Sequence, residues 1–427
     1  MKIGIIGAGF TGLAAAYDLQ KKGHQVTIIE KESQPGGLAL GFKEKGWDWT
    51  IEQHYHHWFT SDDFVLNLAK EINHKVLIKR PKTSVFLNDR LYQLDSPKAI
   101  LAFPQLPLLD KLRMSVVLAF LRFDPWWKPL EKINAVSFLT KTMGKKAFST
   151  LWEPQLRNKM GKFADEISLV WFWTRINKRT PSLAYPEGGF LNFAAHVADT
   201  ITKHKGEILF DTETVKIEDT DKKTRVTVKK ANKTSTYEFD RVIVTLPSFL
   251  FLKLTPQLPE EYKNRLVKLR GLGANNLVLR LKKNFLPDDT YWLSICEKNA
   301  PVMVVVEHTN LLSPSHFNNE HLVYVGNYPE ATSKEFSLPK EDLLKRYDPL
   351  LRRLNPTYKN DLIGFEVFRA PFAQPIVPTN YSRLLPPFTT PLKHVFLANI
   401  EQVYPWDRGT NYAVELGQKI ATIITTD

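Results

Sequence analysis

The sequence predicts an α/β fold that opens on a βαβ unit, and two observations in its first 37 residues carry the prediction. An apolar run at 2–6 leads directly into Gly7-Ala8-Gly9-Phe10-Thr11-Gly12, a helical pattern follows as far as Gly23, and a second apolar run at 26–29 ends on Glu30. A further glycine pair, Gly36-Gly37, lies just beyond that acid. The 427 residues are enough for two or three domains with a large interior.

Each part of the opening unit has a physical task. Gly7 permits a tight exit from the first strand, Gly9 lets the backbone approach a pyrophosphate that a Cβ would push away, and Gly12 allows the helix to pack closely on the sheet. The helix start, at Phe10 and Thr11, offers unpaired N–H groups and a positive dipole end to phosphate. Glu30, 18 residues beyond Gly12, stands where an acid accepts hydrogen bonds from an adenosine ribose. Ala16, Leu19, Gly23 and Val26 supply the small, apolar and turn positions that helix-to-sheet packing requires.

Composition narrows the setting. The single cysteine, Cys296, excludes an internal disulfide framework and fits a reducing compartment. The first strand begins at residue 2 and no apolar run approaches the roughly 18 residues of a bilayer span, so a cytoplasmic location is expected. The net charge of +13 is concentrated: Lys111 to Arg179 holds 14 Lys or Arg against 5 Asp or Glu. Such an excess suits nucleic acid, an anionic substrate or an anionic membrane. No helix-turn-helix, zinc-finger or aromatic RNA-binding signature accompanies it, so no nucleic acid partner is expected.

After the glycine pair comes an aromatic run from Gly46 to Phe59 containing Asp48, His54, His56 and His57. On a strand His54 and His56 share a face and His57 points away. They read either as groups facing a cofactor or substrate or as satisfied structural histidines; without a remote ligand of suitable spacing, no metal is expected. Ser61-Asp62-Asp63 reads as the cap of a helix at 64–72. Residues 76–94 read as strands with a turn at Asn88-Asp89.

The chain then turns helical. Leu101, Phe103, Leu106, Leu108 and Leu109 lead into Leu112, Val116, Val117, Phe120 and Leu121, with Asp110, Lys111, Arg113 and Arg122 opposite, and Asp124-Pro125-Trp126-Trp127-Lys128-Pro129 follows. Two readings fit: a helix lying on an anionic membrane surface at its inner face, or an amphipathic helix packed on the protein's own core with both tryptophans inside. Helical pattern continues through 131–143, 147–152 and 168–180, and five of the ten Trp lie between 126 and 173, which suits a roof over an apolar cavity.

A turn at Pro186-Glu187-Gly188-Gly189-Phe190 starts a helix to 203. Strands follow at 207–210, around Val215, at 224–228 and at 237–239, and then Asp240-Arg241-Val242-Ile243-Val244-Thr245-Leu246-Pro247. Strands at 276–281, 291–295, 302–306 and 321–326 and a helix at 340–354 carry no catalytic motif. A strand at 363–369 runs into Ala370–Pro375. The chain ends with a strand, His394 to Asn399, a polar turn, Tyr404-Pro405-Trp406-Asp407-Arg408-Gly409-Thr410-Asn411, and a helix at 412–424.

The acid followed by the Gly36-Gly37 pair, the proline–Gly-Gly turn with its later return strand, and the closing strand–turn–helix together resemble the FAD-dependent superfamily of amine oxidases, protoporphyrinogen oxidases and phytoene desaturases. The resemblance spans essentially the whole chain. It implies a discontinuous Rossmann-type FAD-binding domain (1–75, 181–250 and 360–427) with an inserted α+β substrate domain (76–180 and 251–359). It places Lys31 and Leu38 with Gly36 and Gly37 along the cofactor, Val215 at the adenine, and Thr245 and Pro247 beside the pyrophosphate. Asn399, Gly409, Thr410 and Asn411 fall at the flavin end, where a helix start stabilises charge on the reduced ring. The superfamily's usual Gly-Asp at that strand end is Ala398-Asn399 here, and the glycine usual near Asp48 is absent.

The implied reaction is hydride removal from a C–H beside nitrogen or an unsaturated system of a hydrophobic small molecule, with oxygen or a quinone as electron acceptor. His54, His56 and Trp406 are the candidate assisting residues. Two other readings stand beside it: a redox-neutral sugar-nucleotide mutase resembling UDP-galactopyranose mutase, and a non-enzymatic binder resembling the Rab escort proteins.

Overall fold

The computed structural model describes residues 1–426. A five-stranded parallel sheet organises it, in the order Glu207–Leu209, Gln25–Ile29, Lys2–Ile6, Arg241–Val244 and Val395–Leu397. Its strands therefore come from three distant parts of the sequence. Ile5 pairs with Ile28 on one side and with Ile243 on the other, and all three are fully buried, as a parallel strand covered on both faces requires. The first and last helices, Phe10–Lys21 and Thr410–Thr426, lie together at Gly417, where a Cβ would come within 2.5 Å of the Thr11 carbonyl oxygen. That contact ties the C-terminus of the chain to the glycine turn.

The second part is a seven-stranded mixed sheet, ordered Leu362–Pro375, Gly271–Leu281, His321–Asn327, Val304–Glu307, Thr290–Ile295, Lys82–Leu87 and Arg90–Gln93. The Lys340–Leu354 helix covers one face, with Leu343, Tyr347 and Leu351 packed in a core with Leu277, Leu279 and Val325. The strand expected at 363–369 pairs with Gly271–Leu281 along its length, so residues 362–375 belong to the inserted sheet and not to the nucleotide-binding part that was expected to resume at 360. A three-stranded antiparallel sheet, Glu213–Asp219, Thr224–Lys230 and Lys233–Phe239, hangs from the parallel sheet. The turn at Asn88 and Asp89 takes positive φ at both residues, the geometry of a two-residue hairpin.

Helices between Pro97 and Asn177 form a layer with its own core of Met114, Leu121, Leu139, Met160, Trp171 and Trp173. Glu153-Pro154 opens a helix, Glu153–Met160, whose first turn loses nothing by lacking the proline N–H. The expected cap of the Asp63–Glu71 helix is corrected: Asp62 accepts instead from the Phe59 N–H, and the free Val65 N–H of the first turn donates to Asn411 Oδ1 at 3.1 Å. The 108–127 stretch divides between core and surface. Met114, Val117 and Leu121 face the core and Trp127 packs on Tyr404, whereas Val116 (68% exposed), Phe123 (81%) and Trp126 (74%) face solvent with Leu108, Leu109, Leu112 and Phe120. No helix of the described residues is long and apolar enough to cross a membrane.

Candidate functional site

The glycine turn is closed by contacts that leave no room for side chains. The Gly7 N–H donates to Ile29 O, and a Cβ on Gly12 would lie 2.0 Å from the Gly7 carbonyl oxygen. Thr245 Oγ1 donates to Ile6 O at 2.8 Å and stands where a Gly7 Cβ would be, so the return strand buttresses the turn. Gly36 N–H donates to Ala8 O, which brings the second glycine pair over the first: Gly37, at φ +58°, would place a Cβ 3.0 Å from the Gly9 Cα. Gly9 and Gly37 keep accessible surface while Ala8 and Phe10 beside them are buried; Phe10 stacks on Phe193. Glu30 accepts from the Ala8 and Glu32 N–H groups at 2.7 and 2.9 Å, which leaves further lone pairs on both oxygens. Lys31 is exposed and paired with Glu32, and Leu38 packs toward Ala274, Ala370 and Ala373.

The carboxyl ends of the parallel strands converge beside this turn. Pro247 starts the Ser248–Leu254 helix, Asn399 Nδ2 donates to Leu246 O, and Ser248 N–H donates to Glu401 Oε1. Two buried acceptors there, Asn399 Oδ1 and Glu401 Oε2, have no partner among the described residues, and burial pushes the Glu401 carboxyl up to about 7. Val215 falls at a register shift in its ladder, between Thr214 and Lys216. Thr410 accepts from Trp58 Nε1 at 2.6 Å, and Asn411 caps the Asp63–Glu71 helix in trans as described, so both side chains at the last helix's start are engaged within the protein.

A cleft runs from here under the helical layer. Tyr55, His54, His56, His57, Tyr328 and Arg408 gather there, each half-buried, as residues lining a cleft are. His54 Nδ1 meets Asn276 Nδ2, His56 Nδ1 meets His54 O, and His57 Nδ1 meets the Tyr291 hydroxyl, so the three rings do not converge on one point. Burial holds His54 and His57 down to about 3 and His56 to about 4, so all three are neutral at physiological pH. Tyr55 and Tyr328 share a hydroxyl–hydroxyl bond of 2.9 Å, to which Arg408 Nη2 donates at 2.7 Å. Trp406 is stacked between Trp173 and Tyr412.

Sequence reasoning singled out His54, His56 and Trp406 here but passed over Tyr55, Tyr328, Lys159, Arg175, Arg179 and Arg408. Only Arg408 carried a signal, as the charged residue of the polar turn before the last helix. Glu52 was also missed. It lies wholly buried and accepts from the Tyr185 hydroxyl and the Phe190 N–H, and burial pushes its carboxyl up to about 7.

A nucleotide cradle at the carboxyl edge of a parallel sheet, joined to an aromatic cleft, defines a dinucleotide-dependent enzyme class. Residues 10–422 match the family described as flavin containing amine oxidoreductase, and the chain belongs to that family. Among solved structures it is similar to an oxidoreductase from Methanosarcina mazei (17% identity, 100% of each chain, TM-score 0.77). It is also similar to reduced UDP-galactopyranose mutase (16% identity, 100% of this chain and 95% of that one, TM-score 0.78). Putrescine oxidase bound to putrescine is a third (16% identity, 100% of each chain, TM-score 0.75). Zeta-carotene desaturase of Arabidopsis thaliana is 27% identical over 178 residues, which are 36% of this chain and 32% of that protein. The 4,4'-diapophytoene desaturase of Staphylococcus haemolyticus is 59% identical over 46 residues, 11% of this chain and 9% of that protein. The matched parts thus span at most about a third of those curated relatives.

FAD is the cofactor, and the residues present fit it. The facing Gly9 and Gly37 backbones form a cradle that a Cβ would fill, and Glu30 keeps lone pairs free beside it.

Proposed function

We propose that this protein is an FAD-dependent oxidoreductase that dehydrogenates an apolar small molecule of the amine, tetrapyrrole or polyene kind. The observation that carries the reading is the junction of the Gly9–Gly37 cradle with a cleft whose histidines are neutral. When bound, FAD would supply the hydride acceptor, with oxygen or a quinone as the terminal electron acceptor. The chain's own residues bind, orient and exclude water. Gly7, Gly9 and Gly12 with Gly36 and Gly37 hold the pyrophosphate region, Glu30 the ribose, and Val215 the adenine. The N–H groups at Gly409 to Asn411, at the positive end of a 17-residue helix, favour negative charge at the flavin's pyrimidine edge. His54 and His56 line the substrate side without acting as proton acceptors at neutral pH, and Trp406, held by two aromatic neighbours, fixes the wall behind them.

The exposed stripe on Leu108–Phe123 supports contact with a membrane surface. Leu108, Leu112, Val116, Phe120 and Phe123 follow helical spacing on the face opposite the core, and Lys98, Arg113, Lys128 and Lys132 stand exposed around them. An apolar ridge ringed by cations suits anionic lipid, and a membrane is where an apolar substrate is found. A redox-neutral use of the reduced ring on a sugar nucleotide is the second reading, favoured by the cationic side chains of the cleft.

The test is to reduce the holoenzyme without oxygen, using an amine, a porphyrinogen and a polyene in turn. Bleaching of the flavin bands by one class supports the dehydrogenase. Turnover of UDP-galactopyranose only after prior reduction, with no net electron transfer, supports the mutase.

A further inference from the structure

Four cations meet at one end of the cleft: Lys159 from the Glu153–Met160 helix, Arg175 from Leu169–Asn177, Arg179 just beyond it, and Arg408 from the turn before the last helix. One carboxylate answers them. Asp407 Oδ1 lies 2.6 Å from Arg175 Nη2, and although burial opposes ionisation, Arg175, Lys159, Arg408 and Arg179 together hold the Asp407 carboxyl below its ordinary range. The remaining contacts are aromatic. The Arg175 guanidinium lies 3.5 Å from the Trp171 ring centre, Lys159 Nζ lies 5.6 Å from Trp171 and 4.9 Å from Tyr328, and Arg408 lies 5.2 Å from Tyr328. A ring face attracts a cation without neutralising it.

The donors are incompletely used. Arg175 spends Nη1 on Trp171 O, and Arg408 spends Nε on Gln374 Oε1 and Nη2 on Tyr328. Among the described residues Lys159 has no carboxylate partner, and Arg179, whose side chain is exposed, has no hydrogen bond. Burial, then Arg175 and Arg408, push the Lys159 ammonium well below its ordinary range. Uncompensated cations in a low-dielectric pocket raise the energy of the protein alone, and an anion removes that cost.

The four side chains come from the helical layer and the 404–411 turn, not from the strand ends that carry the glycine turn, so the cofactor's pyrophosphate is not what they address. We infer that Lys159, Arg175, Arg179 and Arg408 form a receptor for an anionic group on the substrate, phosphate or carboxylate, making the substrate an amphiphile whose charged end is fixed here and whose apolar body lies along the cleft. The inference rests on the flavoenzyme reading and specifies its substrate class. The planar guanidinium fork of Arg179 suits paired oxygens, and Arg408 Nη1 and Lys159 Nζ add further donors.

The test uses the FAD-loaded enzyme, with octyl phosphate, octanoate and octanol titrated calorimetrically. At least one anionic probe is expected to bind ten-fold or more tightly than octanol; preference for octyl phosphate assigns phosphate, and preference for octanoate assigns carboxylate. Lys159→Met and Arg179→Ala should each erase most of that preference while leaving octanol binding unchanged. Arg179→Ala removes a side chain with no partner in the protein, so its folding is not at stake. Equal binding of all three probes, or an undiminished preference in both variants, overturns the inference. Failure of the underlying reading shows separately, as protein that holds no FAD.

Discussion

Replacing Gly9 by alanine separates what the glycine turn does for the fold from what it does for the ligand. Gly9 has φ −72° and ψ 173°, a backbone conformation alanine adopts freely, and the only heavy atom near its Cβ would be the Gly37 Cα at 3.7 Å, an ordinary contact. The folded chain without cofactor therefore accommodates the methyl. By restricting the unfolded chain, the change should stabilise the apoprotein by ~0.4–1 kcal/mol. The methyl nevertheless stands in the cradle where the backbone must approach a pyrophosphate, so FAD affinity should fall at least about ten-fold, or ~1.4 kcal/mol. Gly12→Ala is the contrast: its Cβ would lie 2.0 Å from a backbone oxygen, and overpacking of this kind costs about 1–3 kcal/mol in the fold itself. Denaturant unfolding of deflavinated protein and FAD binding followed by fluorescence quenching give the two numbers. Unchanged FAD affinity in Gly9→Ala, or a clear loss of apoprotein stability, refutes the reasoning.

Three further outcomes follow from the same structure. Val116→Glu with Phe123→Glu should abolish sedimentation with phosphatidylglycerol vesicles and leave flavin content intact, since both side chains point outward and each loses about 1 kcal/mol or more of apolar transfer; vesicle binding equal to wild type contradicts the membrane reading. Burial raises the Glu52 carboxyl from 4.5 to about 7, so its penalty is absent below pH 4.5 and grows as pH rises toward 7. Glu52→Gln should therefore flatten the loss of stability between pH 5 and 7 by up to ~1.4 kcal/mol per pH unit, measured by urea unfolding across that range; parallel curves contradict it. The Cys296 thiol, buried and pushed up to about 12, should react with a disulfide reagent only on unfolding; rapid labelling of the native protein contradicts the packing around it.

The parallel sheet was legible because its signals are local. Gly7, Gly9 and Gly12 are forced by contacts within one turn, and the apolar runs at 2–6 and 26–29 pair with each other directly. The fate of 362–375 was not legible, because Phe368 and its neighbours meet Gly271–Leu281 across some ninety residues of chain, and a strand's pattern does not name its partner. The 108–127 stretch shows the limit of periodicity: Val117 and Val116 are adjacent, equally apolar and on opposite faces, so only packing separates core from surface. The cation cluster was invisible for a different reason. Lys159, Arg175 and Arg408 stood within an expected excess of basic residues or a polar turn, and their shared enclosure exists only once the helical layer folds over the cleft.

The central claim is that facing bare backbones at Gly9 and Gly37 hold FAD beneath the last helix. Flavin stoichiometry of the purified protein tests it most directly. The account predicts a yellow protein with one FAD per chain, restored after deflavination by adding FAD. A colourless protein that takes up no FAD from an excess in solution contradicts it.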